Sequence, residues 1–298
     1  MLLHRVLTAL VGVPIILAAI WFGPPWLTLL AVAAAAIGVW EAYRLNPPNG
    51  TDTVNAQQEV VADAAPTALP ALLGAVWAVA LVLAGELAAS PDDFAITAAA
   101  ICAAGCIAAA LWMIAAWRGR RPVVAAAYLV IAPVYVGGGL ACALAIRRIG
   151  PMPDVDGAIA NLGLWWLLLA ILTVYAADTS AYTVGRLIGR RPMAPNVSPG
   201  KTWEGAAAGL VGAAVAAAAL AMLTPLTLQL WQAAAIGVIL GIVSPAGDLL
   251  ESKVKRWAGA KDSGNLFPGH GGMLDRLDSL LPSFIVVYIV AAYSAAAN

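Results

Sequence analysis

Long runs of apolar residues, separated by short polar stretches, dominate this sequence. A helix needs about 20 mostly apolar residues to cross the hydrocarbon core of a bilayer, and nine segments approach or exceed that length. They are 5–22, 25–45, 68–89, 95–117, 122–146, 162–184, 204–223, 231–249 and 279–297. The pattern therefore predicts an all-α, polytopic integral membrane protein with about nine transmembrane helices.

The composition supports this prediction and excludes an ordinary soluble domain. Hydrophobic residues make up 62% of the chain and charged residues 11%, whereas soluble proteins have roughly 45–50% and 25%. The net charge is zero, which gives no overall bias toward polyanions, so we expect no nucleic-acid partner.

The distribution of basic residues predicts the orientation. The first apolar run continues to the bulky Trp21 and Phe22 without a small-residue cleavage site, so we interpret it as a retained span. With the N-terminus inside, only Arg147 and Arg148 of the sixteen Lys and Arg residues lie outside the cytoplasm. Because cytoplasmic loops are enriched in Lys and Arg, we expect a multi-pass protein of the cytoplasmic (inner) membrane.

Two regions follow from this plan. Residues 1–150 would form an N-terminal membrane region of about five spans, and residues 151–298 a C-terminal catalytic region of about four. The polar loops of the second region, 185–203 and 250–278, would both face the cytoplasm. We therefore expect the active site at the cytoplasmic membrane face.

The stretch KDSGNLFPGHGGMLDRLDS, residues 261–279, concentrates charge and glycine in an otherwise apolar chain. Asp275 and Asp278 are three residues apart, so on a helix they project from the same side. Carboxylates so close repel each other unless a cation or a proton lies between them. With Asp248 from the preceding span they would supply the oxygen ligands that Mg²⁺ prefers. The alternative is that the pair only caps the start of a helix.

A second polar pattern precedes this stretch. If the eighth span continues as a helix past Leu250, then Asp248, Ser252 and Lys255 lie on one face. A carboxylate, a hydroxyl and an ammonium in one row can hold a cation and a phosphate side by side. The alternative is a helix end whose basic side chains reach toward lipid headgroups.

Glycine-rich backbone and a helix entrance add candidate phosphate ligands. In GNLFPGHGG, exposed N–H groups can approach an anion, and His270 is a phosphate donor, a leaving-group acid or a residue that orders the loop. SPGKTWEG is not a Walker motif, because Pro195 stands where that motif needs glycine. Ser198 and Lys201 still suit the binding of a phosphate.

The segment SKVKRWAGAKDSGNLFPGHGGMLDRLD, residues 252–278, resembles the signature of the bacterial phosphatidate cytidylyltransferases (CDP-diacylglycerol synthases). AADTSAY and SPGKTWEG, earlier in the chain, resemble a second block of that family. The motifs cover about 175–280, and the early spans carry none.

The resemblance implies a reaction and a set of site residues. Such enzymes join CTP to phosphatidate, a lipid of the bilayer, and release pyrophosphate, with Mg²⁺ and in some arrangements a second cation. The implied catalytic residues are Lys255, Asp275, Asp278 and His270, and the implied metal ligands are Asp248, Asp275 and Asp278. The substrate-binding residues expected from the motifs and the helix entrance are Ser198, Lys201, Ser252, Arg256, Lys261 and Arg276.

Two other functions are consistent with parts of this pattern. A CTP-dependent lipid kinase would transfer the γ-phosphate instead of the cytidylyl group. A transporter would explain Asp178 within an apolar span, but the chain has no internal repeat and its charges gather at one membrane face. Rows of glycine such as Gly205, Gly209 and Gly212 permit close helix contact, and they would also allow a homodimer.

Overall fold

The computed structural model describes residues 2–45, 68–117, 122–150, 161–267 and 271–297. Within these ranges the helices are, in order, α1 (Leu2–Phe22), α2 (Trp26–Arg44), α3 (Ala68–Leu87), α4 (Pro91–Ala116), α5 (Pro122–Arg147), α6 (Leu162–Ile188), α7 (Trp203–Leu223), α8 (Leu230–Trp257), α9 (Leu274–Leu277) and α10 (Leu280–Ala297). His270 and the 46–66 loop lie outside the described residues.

The helices confirm the predicted all-α, polytopic membrane class. About 81% of the described residues are helical. Among the described residues, α2 to α8 are seven helices long and apolar enough to cross a membrane. Two shorter apolar stretches, Leu10–Phe22 in α1 and Leu280–Ser294 in α10, follow the same pattern. The count of nine spans and the orientation stay predictions.

A short β-hairpin follows α6, in a segment that the sequence analysis treated as a loop. β1 (Pro192–Ala194) pairs antiparallel with β2 (Ser198–Thr202), with Pro192 opposite Thr202 and Ala194 opposite Ser198. Val197 N–H closes the turn by donating to the Ala194 carbonyl over 3.1 Å. The hairpin has too few residues, and too much proline and glycine, to show the alternation by which strands are predicted.

The chain divides into two compact units. The first unit comprises Met1–Ala145 and Val254–Leu277, and the second comprises Ile146–Lys253 and Asp278–Asn298. The segment Val254–Leu277 therefore groups with the N-terminal helices, and the predicted functional division of the chain at residue 150 stays a prediction.

In the first unit, α2 packs against α1, α3 and the short α9, and α3 packs against α4. Glycines let backbones meet: Gly85 of α3 lies against the Ala141 carbonyl, and Gly137 of α5 lies against Ala78. Tyr43 Oη donates a 2.7 Å hydrogen bond to the Leu129 carbonyl, which ties α2 to α5. The second helix is therefore central to this unit.

In the second unit, α6 packs against α7 and α10. Gly205 and Gly209 of α7 lie against the carbonyls of Ala181 and Ala177 on α6. The partner of this glycine row is thus a helix of the same chain. Gly237 of α8 lies against the Ala213 carbonyl of α7.

Candidate active site

The charged segment near the end of the chain forms a buried ion pair in the first unit. Lys255, in the last turn of α8, places its ammonium 2.5 Å from Asp275 Oδ1 at the start of α9. Only 10% of the Lys255 side chain and 6% of the Asp275 side chain are exposed. Both ends of the predicted signature therefore meet in one contact.

The other oxygen of Asp275 is held by the loop between α8 and α9. Asp275 Oδ2 accepts hydrogen bonds from Ser263 N–H and Gly272 N–H, each over 2.8 Å, and from Ser263 Oγ over 2.9 Å. Burial of the Asp275 carboxyl raises its pKa, but hydrogen bonds from Lys255, Gly272 and Ser263 outweigh this effect. Its pKa therefore lies below the usual range, and the carboxylate stays charged.

Glycines are needed in this loop because its backbone packs directly on carboxylates. Gly271 has φ +83°, a left-handed conformation that favours glycine. A Cβ at Gly271 would lie 2.5 Å from Asp275 Oδ2, and one at Gly264 would lie 2.5 Å from Glu41 Oε1. The glycines thus serve the close approach of the loop backbone to two acidic side chains.

Glu41 on α2 completes this group, and the sequence analysis missed it. Its carboxylate is buried, and its Oε2 accepts hydrogen bonds from Ser263 Oγ over 3.1 Å and from Leu274 N–H over 3.0 Å. The available signal was one acidic residue in the apolar run of α2, because an ionisable residue in a span is a functional candidate. We call Glu41, Lys255, Ser263, Gly272, Leu274 and Asp275 the loop cluster.

A second polar group lies in the second unit. Lys201 Nζ is 2.8 Å from Asp248 Oδ2 and donates to the Pro245 carbonyl over 3.3 Å. Ser252 Oγ donates to Asp248 Oδ1 over 3.1 Å. Asp178 on α6 interacts electrostatically with both Asp248 and Lys201. We call Asp178, Lys201, Asp248 and Ser252 the Asp248 cluster. Asp248 and Ser252, which were predicted to lie on one face of the eighth helix, are hydrogen-bonded neighbours within it.

The helix entrance beside Lys201 is held by structural contacts. Thr202 Oγ1 accepts from Gly205 N–H over 3.1 Å and caps α7. Glu204 Oε2 accepts from the backbone N–H groups of Arg190 and Arg191 over 3.2 and 3.3 Å. These contacts fix the hairpin, which positions Lys201, and Ser198 lies at the other end of the same strand.

A polar row continues from this cluster along α6. Tyr175, Asp178, Tyr182 and Arg186 recur at helical spacing and are exposed. Arg186 donates a 2.7 Å hydrogen bond to the Tyr182 hydroxyl. Because polar and ionisable side chains in a spanning helix are costly against lipid, this row is a candidate contact for water or a polar ligand. Both tyrosines were overlooked in the sequence, where they read as part of an apolar span.

The comparison with known families decides between the interpretations. The chain matches the family described as Cytidylyltransferase family over residues 3–294. The chain belongs to the cytidylyltransferase family. This match confirms the family resemblance that the segment 252–278 indicated. It also confirms the enzyme class expected from that resemblance.

Several bacterial proteins are similar in sequence to this chain. A phosphatidate cytidylyltransferase of Brucella abortus biovar 1 is 33% identical over 291 residues, which is 97% of this chain and 92% of that protein. One of Mycobacterium bovis is 43% identical over 132 residues, 43% of this chain and 42% of the relative. One of Staphylococcus haemolyticus is 38% identical over 140 residues, 47% of this chain and 54% of the relative. The chain therefore spans about half or less of the last two relatives.

The second unit contains carboxylate groups suited to a magnesium ion. Asp248 offers carboxylate oxygens, the kind of ligand that Mg²⁺ prefers. Its neighbour Gly247 packs on the Asp278 carbonyl, so Asp278 lies beside the same turn of α8. Asp278 Oδ1 accepts from Ser279 N–H over 2.6 Å.

The three-aspartate arrangement stays a prediction. Within the residues that the structure describes, no group of three or more His, Cys, Asp or Glu side chains could hold a metal ion. Asp275 belongs to the first unit, where Lys255 neutralises it. Arg256, Lys261 and Arg276, the basic residues of the signature predicted to bind substrate, are exposed, and Arg256 donates to the Ala260 carbonyl over 3.0 Å.

Proposed function

We propose that this cytidylyltransferase transfers the cytidylyl group of CTP to phosphatidate, giving CDP-diacylglycerol and pyrophosphate. The single observation that carries the proposal is the match to the phosphatidate cytidylyltransferase of Brucella abortus, which extends over 97% of the chain. The polar clusters at the ends of apolar helices support it, since they suit a charged headgroup on a lipid substrate.

The proposed reaction does not require a strong general base from the protein. An oxygen of the phosphatidate phosphate attacks the α-phosphorus of CTP and forms a new P–O bond. The bond from that phosphorus to the oxygen that bridges to the β-phosphate breaks, and its electron pair leaves with pyrophosphate. Because the second pKa of a phosphomonoester is about 6, the nucleophile is already ionised at neutral pH and needs no strong general base.

The difficulty is electrostatic, because two anions must approach each other. Lys201 and the hydroxyl of Ser252 can bind phosphate oxygens, and Lys255 supplies a fixed ammonium whose position Asp275 sets. Such positioned charges usually dominate catalysis of phosphoryl-type transfers. Mg²⁺, which we propose is held by Asp248 and Asp278, would neutralise the phosphates when bound.

The location of the reaction follows from the same charges. We propose that CTP reaches the site from the cytoplasm and that phosphatidate enters sideways from the inner membrane. The exposed row Tyr175, Asp178, Tyr182 and Arg186 would bind the polar part of the lipid as it enters. The phenol and guanidinium groups are suitable donors to its phosphate.

The experiment is a product analysis with purified protein, phosphatidate vesicles, Mg²⁺ and CTP labelled at the α-phosphate. We expect label in a lipid that comigrates with CDP-diacylglycerol, and no labelled lipid in excess EDTA. Labelled free CDP without labelled lipid would instead identify the CTP-dependent lipid kinase. Lack of nucleotide turnover, with solute flux across proteoliposomes, would identify a transporter.

A further inference from the structure

Glu41 is a buried acidic residue whose side chain accepts hydrogen bonds from a distant part of the chain. It is 7% exposed, and a carboxylate in a spanning helix is costly unless it is paired or functional. Its Oε2 accepts hydrogen bonds from Ser263 and Leu274, which lie 222 and 233 positions later in the chain. Both partners lie on the loop that carries the signature.

The loop is built to fit this carboxylate. A Cβ at Gly264 would lie 2.5 Å from Glu41 Oε1, and Gly272 packs against the same carboxylate. The backbone N–H of Leu274 points at Oε2 from the first residue of α9. The Glu41 carboxylate thus contacts the loop on both sides of the turn at Gly271: Gly264 before it, and Gly272 and Leu274 after it.

Ser263 links Glu41 to the ion pair. Its Oγ lies 3.1 Å from Glu41 Oε2 and 2.9 Å from Asp275 Oδ2, and it accepts from Asp275 N–H over 3.3 Å. A hydroxyl has one proton to donate, so the two carboxylates share it. The position of Ser263, and with it the orientation of Asp275, therefore depends on Glu41.

We propose that Glu41 is a positioning residue for the transfer reaction. It holds Ser263 and Leu274, fixes the Asp275 carboxylate through Ser263, and thereby sets the Lys255 ammonium. Its kinetic consequence rests on the proposed function, whereas its effect on the loop does not.

The substitutions separate shape from charge. Glu41→Ala leaves Leu274 N–H and Ser263 Oγ without their acceptor, whereas Glu41→Gln keeps an oxygen that can accept from both. We expect Glu41→Ala to lower kcat by about 10- to 100-fold, the usual cost of losing a residue that orients a site. The KM for CTP should change much less, and Glu41→Gln should restore most of kcat.

Glu86 provides a matched control. It is another carboxylate near the end of a spanning helix of the same unit, and its Oε2 accepts from Thr28 Oγ1 over 3.0 Å. Glu86→Gln should leave kcat and KM unchanged, because this hydrogen bond joins α3 to α2 and does not involve the signature loop.

The mobility of the loop is measured with a spin label at Leu266→Cys, an exposed position. The background protein has Cys102, Cys106 and Cys142 replaced by Ala. We expect a more mobile label in Glu41→Ala than in the parent, with Glu41→Gln and Glu86→Gln close to the parent. Should Glu41→Ala not fold, a cycle of Glu41→Met, which lacks an acceptor oxygen, and Ser263→Ala replaces it, and the kcat losses should be non-additive because the two residues share a hydrogen bond.

The outcomes are separable. If the spin label is no more mobile in Glu41→Ala than in the parent, the proposal is overturned, whether or not kcat falls. Additive losses of kcat in the cycle would also overturn it. If the parent protein transfers no label from CTP to lipid, the proposed function fails, and the spin-label comparison still decides the role of Glu41.

Discussion

Lys255 is the most constrained cation among the described residues of the signature. Its ion pair with Asp275 is nearly inaccessible to water, and removing two charges from water costs several kcal/mol per ion before their attraction offsets it. A protein that needed only stability would gain as much from apolar packing at this place. The pair is better understood as a way to hold an ammonium at a defined position.

The first prediction concerns this pair. Asp275→Asn leaves the Lys255 ammonium buried without its counter-charge, so we expect transfer of label from CTP to lipid to fall by more than about tenfold, or 1.4 kcal/mol in barrier height. The free energy of unfolding of the variant in detergent should also be lower by about 3–5 kcal/mol. The measurements are initial rates and denaturant unfolding followed by tryptophan fluorescence.

Asp92→Asn, an exposed residue in the first turn of α4, is the matched control and should keep its rate. If Asp275→Asn retained more than about a tenth of the parent rate, Asp275 would be neither a metal ligand nor the anchor of Lys255.

The contrast between Asp275 and Glu41 shows what sequence can predict at this scale. Asp275 and Lys255 belong to one dense local signature, so their importance was visible. Glu41 acts on Ser263 and Leu274, more than two hundred positions away, and a local pattern carries no record of such a contact.

At the scale of elements, glycine decides which helices meet. A Cβ at Gly237 of α8 would lie 2.5 Å from the Ala213 carbonyl of α7, whereas one at Gly138 of α5 would meet nothing within 4 Å. Membrane helices associate largely through such close backbone approach. The two positions therefore make a matched pair in which only the neighbour differs.

The second prediction uses this pair. Gly237→Ala should destabilise the protein by about 1–3 kcal/mol, because the new methyl group forces α7 and α8 apart. Gly138→Ala should be neutral or stabilise by up to about 1 kcal/mol, the difference in helix propensity. Unfolding by a graded increase of denaturing detergent measures both, and equal effects of the two variants would contradict the assigned α7–α8 contact.

The helices were predictable from the sequence, but their ends were not. The eighth apolar segment was predicted to end near 249, and α8 continues to Trp257; the sixth was predicted to end near 184, and α6 continues to Ile188. Hydropathy marks the thickness of the hydrocarbon core, whereas helices extend into the polar layer. Those extra turns carry Ser252, Lys255 and Arg186.

At the scale of the whole molecule, the apolar helices establish a multi-pass membrane protein, and the charges predict which side the signature loop faces. The loop near Asn265 follows an even-numbered span and should be cytoplasmic, while Ala89 follows the third span and should lie on the opposite side. Both residues are exposed.

The third prediction tests this arrangement. In a background without native cysteine, Asn265→Cys should react with a membrane-impermeant maleimide only when the cytoplasmic face is accessible, as in inverted vesicles. Ala89→Cys should react only in the opposite orientation, in intact spheroplasts. Labelling of both positions from one side would contradict the predicted topology between them.

The most direct test of the account is the fate of each phosphate of CTP. In one reaction with phosphatidate vesicles and Mg²⁺, CTP carries one isotope on its α-phosphate and another on its γ-phosphate. The account predicts that the α-label enters the lipid while an equal amount of the γ-label appears as pyrophosphate. The γ-label in the lipid, with the α-label left in CDP, would contradict it.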